Sequence, residues 1–596
     1  MVWYMYLRAT ARKNKNGSQV RYLQLAHNEW DAAAGTSRVK VLYNFGREDQ
    51  LDRDAVARLI ASLSRALDPA AALSATATSP ELAFCESRPV GGVYALDGLW
   101  RRLGIHTIMS GLLAGSRRED RTERVVFALV ANRALAASSK LAAAGWVTRD
   151  THIEGLAEVD EDTCYRAMDW LLEIEEPLAQ QVYWSVADLL NLEVDLLFFD
   201  TTSTYFETEA ADAPIARDDR GHPLPDQDTD ATSGSGQDHT GNGDGDGDGD
   251  GAEGSGFRSF GHSKDHRDDL PQVVVGMAVT RTGIPVRCWC WPGNTSDATL
   301  IGQVKDDLRA WTLARVVWVG DRGFSSAANR RYLQRAGGHY ILGEKLRSGS
   351  AQATAALARQ GRYQQVAGNL RVKEVRVAQD ERFVICHNPE QAERDAAVRE
   401  QLLAQLGEVI ADTDDWSPTR RAELRGQLRT KPGLNRFLRT TGSGRLRIDR
   451  AAIKTEANLD GKFLLRSSDP TLSAVDIALG YKQLLEVERG WRDMKQILDL
   501  RPVYHRREDR IRAHVLLCWL ALLLIRVAET STGQTWNRLR SELQRLHRGT
   551  FTGPAGTFRQ HTETTAAQRD IISALGLPAP RRVVELSTDP ITGSAA

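Results

Sequence analysis

Cysteine is scarce here: six residues in 596, at Cys85, Cys164, Cys288, Cys290, Cys386 and Cys518, with no Cys-x-x-Cys pair and no zinc-type spacing. That argues against a disulfide framework and a structural zinc site, and for a reduced, cytoplasmic setting. No apolar run is long enough to span a bilayer. The longest, "HVLLCWLALLLIRV" from His514 to Val527, reads as a buried helix with charged ends. A secretory leader is not expected either, because in "MVWYMYLRATARKNKNG" the basic residues follow the apolar patch instead of preceding it. Net charge is almost nil at −1, but its distribution is uneven. Residues 201–256 hold 14 Asp/Glu against Arg217 and Arg220, a local net of −12 that leaves +11 on the remainder. A basic body with one acidic loop is compatible with a polyanionic partner.

What is present is the composition of a globular protein, 42% apolar and 26% charged, in a chain too long for one core. About two to four domains are expected. Residues 1–50 alternate apolar and polar residues and read as a small β-rich unit; residues 51–192 are mainly of helical period. The stretch 193–345 orders strand, hairpin, helix, strand, helix, strand, which predicts a mixed sheet with helices on its faces and a ribonuclease-H-like core. A Gly-Asp tract interrupts it, and the loop over about 210–256 is expected to be disordered and solvated. That tract lacks the apolar position and stacked copies of calcium-binding repeats. Residues 346–468 read as a β-rich insertion domain with a helical segment, 469–530 as the second part of the core, and 531–596 as a helical C-terminal region and tail. The fold class expected is thus multidomain α/β, the core interrupted by the insertion and preceded by helical modules.

Two apolar strands end on acids: "LLFFD" on Asp200 and "VVWVGD" on Asp321. Side by side in one sheet, they would deliver two carboxylates to the same edge. Two hard oxygen ligands with water completing the shell suit Mg²⁺, and their repulsion is relieved by a cation between them. A third acid would come from the late helix, which offers Glu486, Glu488 and Asp493. At about 100° per residue, Tyr481, Glu488 and Lys495 lie within about 40° of one another on one stripe, whereas Glu486 points nearly the other way. Glu488 is therefore the preferred third ligand. Each acid has a plainer reading. Asp200 before Thr201, Thr202 and Ser203 suits a turn or helix cap, Asp321 before Arg322-Gly323 suits a turn, and Glu488 suits an ion pair with Arg492.

These residues resemble the bacterial insertion-sequence transposases of the Asp-Asp-Glu type, in the branch whose helix carries Tyr-x-x-Arg-x-x-x-Glu-x-x-x-x-x-x-Lys. Here the pattern falls on Tyr481, Leu484, Glu488 and Lys495, so leucine stands where arginine is expected, and Arg489 or Arg492 would have to supply that contact. "FFDTTSTYFE" and "VGDRGFSS" match the two aspartate motifs; "FGHSKDHRDDLPQVVVG" and "LRPVYHRREDRIRAHVLLCWLALLL" are similar to further family stretches. The resemblance spans roughly Asp195 to Arg526.

It implies DNA cleavage at element ends and strand transfer to target DNA, with Asp200, Asp321 and Glu488 holding two Mg²⁺ ions that Mn²⁺ can replace. It also implies a homodimer that synapses two terminal inverted repeats. Candidate DNA contacts are Tyr481, Lys495, Arg489, Arg492, Arg501, His505, Arg506, Arg510, Lys264 and Arg267, with Tyr504 as a stacking group. A plainer reading of the basic residues is a solvated face. The competing functions are a non-catalytic or domesticated DNA-binding protein and a metal-dependent nuclease without strand transfer. Trp289 and Trp291 read as core, and His387 is not expected to bind metal.

Overall fold

The computed structural model describes residues 5–13, 19–31, 35–68, 82–190, 195–224, 256–309, 311, 316–347, 349–378, 381–501, 505–553 and 556–587. The Gly-Asp tract and Tyr504 lie outside them. The chain divides into two packing units. The first comprises Met1–Arg88, His547–Glu563 and Pro580–Ala596. It holds an antiparallel sheet of Met5–Lys13, Gln19–Asp31 and Thr36–Arg47, as the N-terminal alternation predicts, and the helix Arg53–Leu67. It also holds a four-stranded sheet in the order Val583–Ser587, Gly556–His561, His547–Gly553, Ala83–Pro89. The expectation of a purely helical C-terminal region is corrected by these strands, whose Thr, Phe and Val residues favour the pleated surface.

The second unit, Pro89–Leu546 and Thr564–Ala579, is built on a nine-stranded mixed sheet. Its order is Gln364–Ala367, Leu370–Ala378, Glu381–His387, Lys462–Ser467, His339–Glu344, Val317–Gly320, Leu196–Tyr205, Gln272–Thr280, Pro285–Pro292. Leu196 to Phe199 are buried, which is why this run is apolar without alternation. The strand pairs antiparallel with Gln272–Thr280 and parallel with Val317–Gly320. The hairpin from Gln272–Thr280 to Pro285–Pro292 turns at Gly283, whose φ of +79° a side chain would resist. Trp289 and Trp291 are buried on it, as expected.

The insertion is not a separate β domain. Lys462–Ser467 pairs with the edge of His339–Glu344, and Glu381–His387 pairs with Lys462–Ser467, so the sheet continues through the insertion's strands. An unpaired strand edge is a row of unsatisfied donors and acceptors, and pairing removes it. The helices Pro389–Ile410 and Pro418–Arg429 and the hairpin Leu438–Thr440 and Leu446–Ile448 gather around a small core of their own, with Leu406, Leu428, Phe437 and Leu446.

The run His514–Val527 belongs to a longer helix, Glu508–Thr532. By length and composition it could cross a membrane, but its apolar window is wholly buried among protein. It packs on Thr122–Ala136, Glu161–Glu173 and the strand Pro285–Pro292. The acidic loop is ordered at its start, against expectation. Arg258 Nε donates to Asp212 at 2.9 Å, and Arg217 pairs with Glu508 at 2.9 Å, so partly buried ion pairs hold Asp212 and Arg217 in place.

Candidate active site

Strand register brings the first two acids together. Leu196 pairs with Val317, Leu197 with Trp318 and Phe198 with Val319. Two more residues along each path place Asp200 beside Asp321, just past the end of its strand, with neighbouring strands about 4.8 Å apart and both residues on the same face by the period of two. Asp321 also keeps its plainer role. It caps the short helix Arg322–Phe324, its Oδ1 accepting from the Gly323 N–H at 2.7 Å. The turn fixes the carboxylate and leaves its second oxygen for other work.

The late helix is broken, which corrects the single stripe drawn from periodicity. Ala474–Lys482 ends after Tyr481, and Leu485–Gln496 begins two residues on. Between them Glu486 N donates to Gln483 O at 2.9 Å and Val487 N to Leu484 O at 3.1 Å, a tightening to three-residue spacing. Leu484 is buried in the core at this bend, where a charged side chain would be desolvated. Gly490 lets the second helix close on the sheet. A Cβ there would lie 2.5 Å from Cε of Met277, the residue paired with Asp200. Glu488 projects from this helix into solvent. Asp493 does not compete with it, since it binds buried Arg526 at 2.7 Å.

Tyr481 feels the charge of all three acids. Its hydroxyl is pushed up to about 12, first by burial and then by the carboxylates of Asp321, Asp200 and Glu488, with Arg322 opposing. A Cβ on Gly343 would sit 2.5 Å from that hydroxyl and 3.2 Å from Arg322 N, so glycine makes room for the phenol. Asp200 is pushed up to about 6, by burial first; Lys264 and the Thr201 N–H pull it down, while Asp321 and Asp297 add to the rise. Among the described residues, no group of three acid, histidine or cysteine side chains stands ready-made around one ion position. The donor chemistry still fits a hard cation: two neighbouring carboxylates, one held up by burial first and then by its neighbour's charge, with the Lys264 ammonium 3.9 Å from Asp200 as a counter-charge.

Two further acids escaped sequence reasoning. Asp297, first residue of the helix Asp297–Arg309, pairs with Lys264 at 3.0 Å and accepts from Thr201 Oγ1 at 2.6 Å. Asp265 accepts from Lys495 Nζ at 3.0 Å and pairs with Arg501 at 3.0 Å. The only signal for Asp265 was the alternation of base and acid in "HSKDHR". That loop bends through His266, at φ +58°.

The predicted cationic contacts divide accordingly. Lys264, Lys495 and Arg501 meet at this site, but each is engaged by an acid. Burial lowers the Lys495 ammonium, and its hydrogen bond to Asp265 opposes that. Arg267 and Arg501 flank the Tyr205 ring at 5.1 and 5.4 Å. Arg489 binds Glu529 at 2.9 Å, while Arg492 and Arg506 are exposed. Arg510 is held by Asp169 at 2.8 Å and stacks on Tyr165 at 4.1 Å, a packing role. His505 lies edge-on to Tyr165 and is driven down to about 3 by burial first and by Lys140, Arg133 and Arg510. A neutral imidazole gives a phosphate no charge, which corrects its place among cationic contacts.

Comparison with known proteins adds the following. Residues 229–524 match the family model described as "Transposase DDE domain", and residues 7–75 match "IS1634 family transposase, N-terminal domain". The first match includes Asp321 and Glu488 and begins after Asp200. No curated protein matches the chain. A solved structure, "Cryo-EM structure of piggyBac transposase synaptic complex with hairpin DNA", aligns at 9% identity and a TM-score of 0.32, over 76% of this chain and 79% of that one.

Proposed function

The chain belongs to the insertion-sequence transposases of the Asp-Asp-Glu type, enzymes that cut and transfer DNA, and from that premise we propose that Asp200, Asp321 and Glu488 are its catalytic carboxylates. The observation that carries this is the strand register, which sets Asp200 beside Asp321 under the helix that bears Glu488. The core is read as ribonuclease-H-like. In chain order its first five strands lie 5-4-1-2-3 across the sheet, the first three antiparallel and the last two parallel to the first.

Asp200, Asp321 and Glu488 would hold the divalent ions such enzymes use, Mg²⁺ in our reading with Mn²⁺ as a substitute. When bound, the ions supply charge stabilisation at the phosphoryl oxygens and an activated water or 3′-hydroxyl. The protein's own part is to fix those donors and exclude slack. The Asp321 turn, the close approach at Gly490 and the Tyr481 phenol over Gly343 each restrict one carboxylate's surroundings. Lys495, Arg501, Lys264 and Arg267 lie where a phosphate backbone would approach, Asp265 and Asp297 neutralising three of them until DNA competes. Arg492 and Arg506 are exposed, and we read them as further phosphate contacts. We read the working form as a cytoplasmic homodimer, since two inverted-repeat ends must be joined in one reaction.

The test is cleavage of a terminal-repeat duplex in Mg²⁺. Asp200→Ala, Asp321→Ala and Glu488→Ala are each expected to abolish cutting and joining while binding persists. Near-wild-type cutting by any one removes that residue from the site. Products that are cut but never joined to a target plasmid would mark a nuclease instead.

A further inference from the structure

A second concentration of positive charge lies away from the acids. Between the helix Ala327–Gln334 and the strands Leu370–Ala378, Glu381–His387 and Lys462–Ser467 is a cavity of 470 Å³, lined by five arginines: Arg330, Arg331, Arg376, Arg382 and Arg466. They come from four different elements, so no single amphipathic face explains their convergence. The cavity opens beside Tyr340, which pairs with Trp318, three residues before Asp321. At about 3.3 Å per residue, that is about 10 Å back along the sheet from the carboxylates.

The nearby acids are too few to neutralise this group. Arg376 and Arg382 share Glu374, at 3.2 and 2.9 Å. Arg330 and Arg466 share Glu344, each at the long distance of 3.5 Å. Asp469 turns its Oδ1 to the N–H groups of Thr471 and Leu472, at 2.7 and 3.0 Å. Arg331 is exposed at the rim. Five guanidinium groups thus face three carboxylates, those of Glu374, Glu344 and Asp469. Ser467 and Ser468 add hydroxyls that each accept a backbone N–H, from Asp469 and Tyr340, and so keep their own O–H to donate.

We propose that this cavity binds the phosphodiester backbone of the DNA on which the enzyme acts, as an anchoring site separate from the scissile phosphate. Planar guanidinium forks match phosphate oxygens two at a time. The chemistry favours backbone over a free nucleotide, because the one aromatic in the lining, Tyr340, is 4% exposed and offers no face for a base. The proposal rests on the transposase reading only for the identity of the polyanion.

The test uses the full-length protein and a long duplex carrying an element end. Arg331 and Arg376 are exposed, so Arg331→Gln with Arg376→Gln is expected to leave folding intact, checked by circular dichroism and melting. Each phosphate contact contributes about 0.9 to the slope of log K against log salt. The double variant is expected to lower that slope by about 1–2 and to raise the KM for cleavage while sparing kcat. Asp200→Ala, by contrast, should lose cleavage and keep the wild-type slope, so failure of the catalytic assignment and failure of this one read out separately. A folded double variant with wild-type slope and affinity would overturn the proposal. So would pyrophosphate raising the melting temperature of the wild type but not of the variant while the DNA slope stays unchanged, which would mark a small-anion site.

Discussion

Asp200→Asn is expected to stabilise the protein in the absence of metal while abolishing cleavage. Asp200 is raised from 3.8 to about 6, chiefly by burial, with Asp321 and Asp297 adding to the rise and Lys264 and the Thr201 N–H resisting it. A carboxyl whose folded value is raised contributes its stability below the unfolded value and loses it as pH climbs through the folded value. The window here is therefore about pH 4 to 6. Above it the ionised group costs about 3 kcal/mol, from roughly two units at 1.36 kcal/mol each. Asparagine keeps the shape and removes that cost, and Lys264 is not stranded because Asp297 stays 3.0 Å away. Thermal melting in EDTA should show the variant above wild type at about pH 7.5, with the gap closing towards about pH 4. Mn²⁺ at about a thousand times its Kd should reverse the order, since it adds about 4.1 kcal/mol to the form that binds it, more than the cost of the ionised group. A variant that melts at or below wild type in EDTA at neutral pH, or an advantage that grows as pH falls, would refute the reasoning.

Two further perturbations probe the supports of the site. Gly343→Ala should displace the Tyr481 hydroxyl, which its Cβ would meet at 2.5 Å, and lower kcat for cleavage; Tyr481→Phe in the same chain should restore part of it, and a double variant no better than the single one refutes the steric account. Asp265→Asn should leave Lys495 and Arg501 facing each other without their shared carboxylate, at a cost of about 2–3 kcal/mol. Lys495→Met should then cost less in that background than in wild type, and strictly additive melting shifts would show that the pair is not coupled.

The signals for the proposed site are local ones. An apolar run ending on an acid suggests a strand end, and the strand Val317–Gly320 does stop before Asp321. At Asp200 the strand instead runs on to Tyr205, with Thr201 to Thr204 buried and paired to Gln272–Thr280, which corrects the expected strand end and turn there. The choice of Glu488 over Glu486 and Asp493 came from helical angle, and in the structure Asp493 is taken by Arg526. The same angle argument failed for Tyr481, because it assumed one straight helix and the chain bends at Gln483–Leu484. Lys264, Lys495 and His505 were equally legible as basic residues, but basic residues do not announce their partners.

The sequence by itself determined the hairpin at Gly283, the buried character of the long apolar helix and the strand that stops at Asp321, since each depends on neighbours within a few residues. Tertiary structure alone decided which acids answer which bases: Asp265 with Lys495 and Arg501, Asp297 with Lys264, Asp169 with Arg510. It alone joined the insertion's strands to the central sheet and gathered five arginines from four elements into one cavity. Electrostatic pairing and strand-edge pairing act through space between residues tens to hundreds of positions apart, and a local pattern carries no record of them.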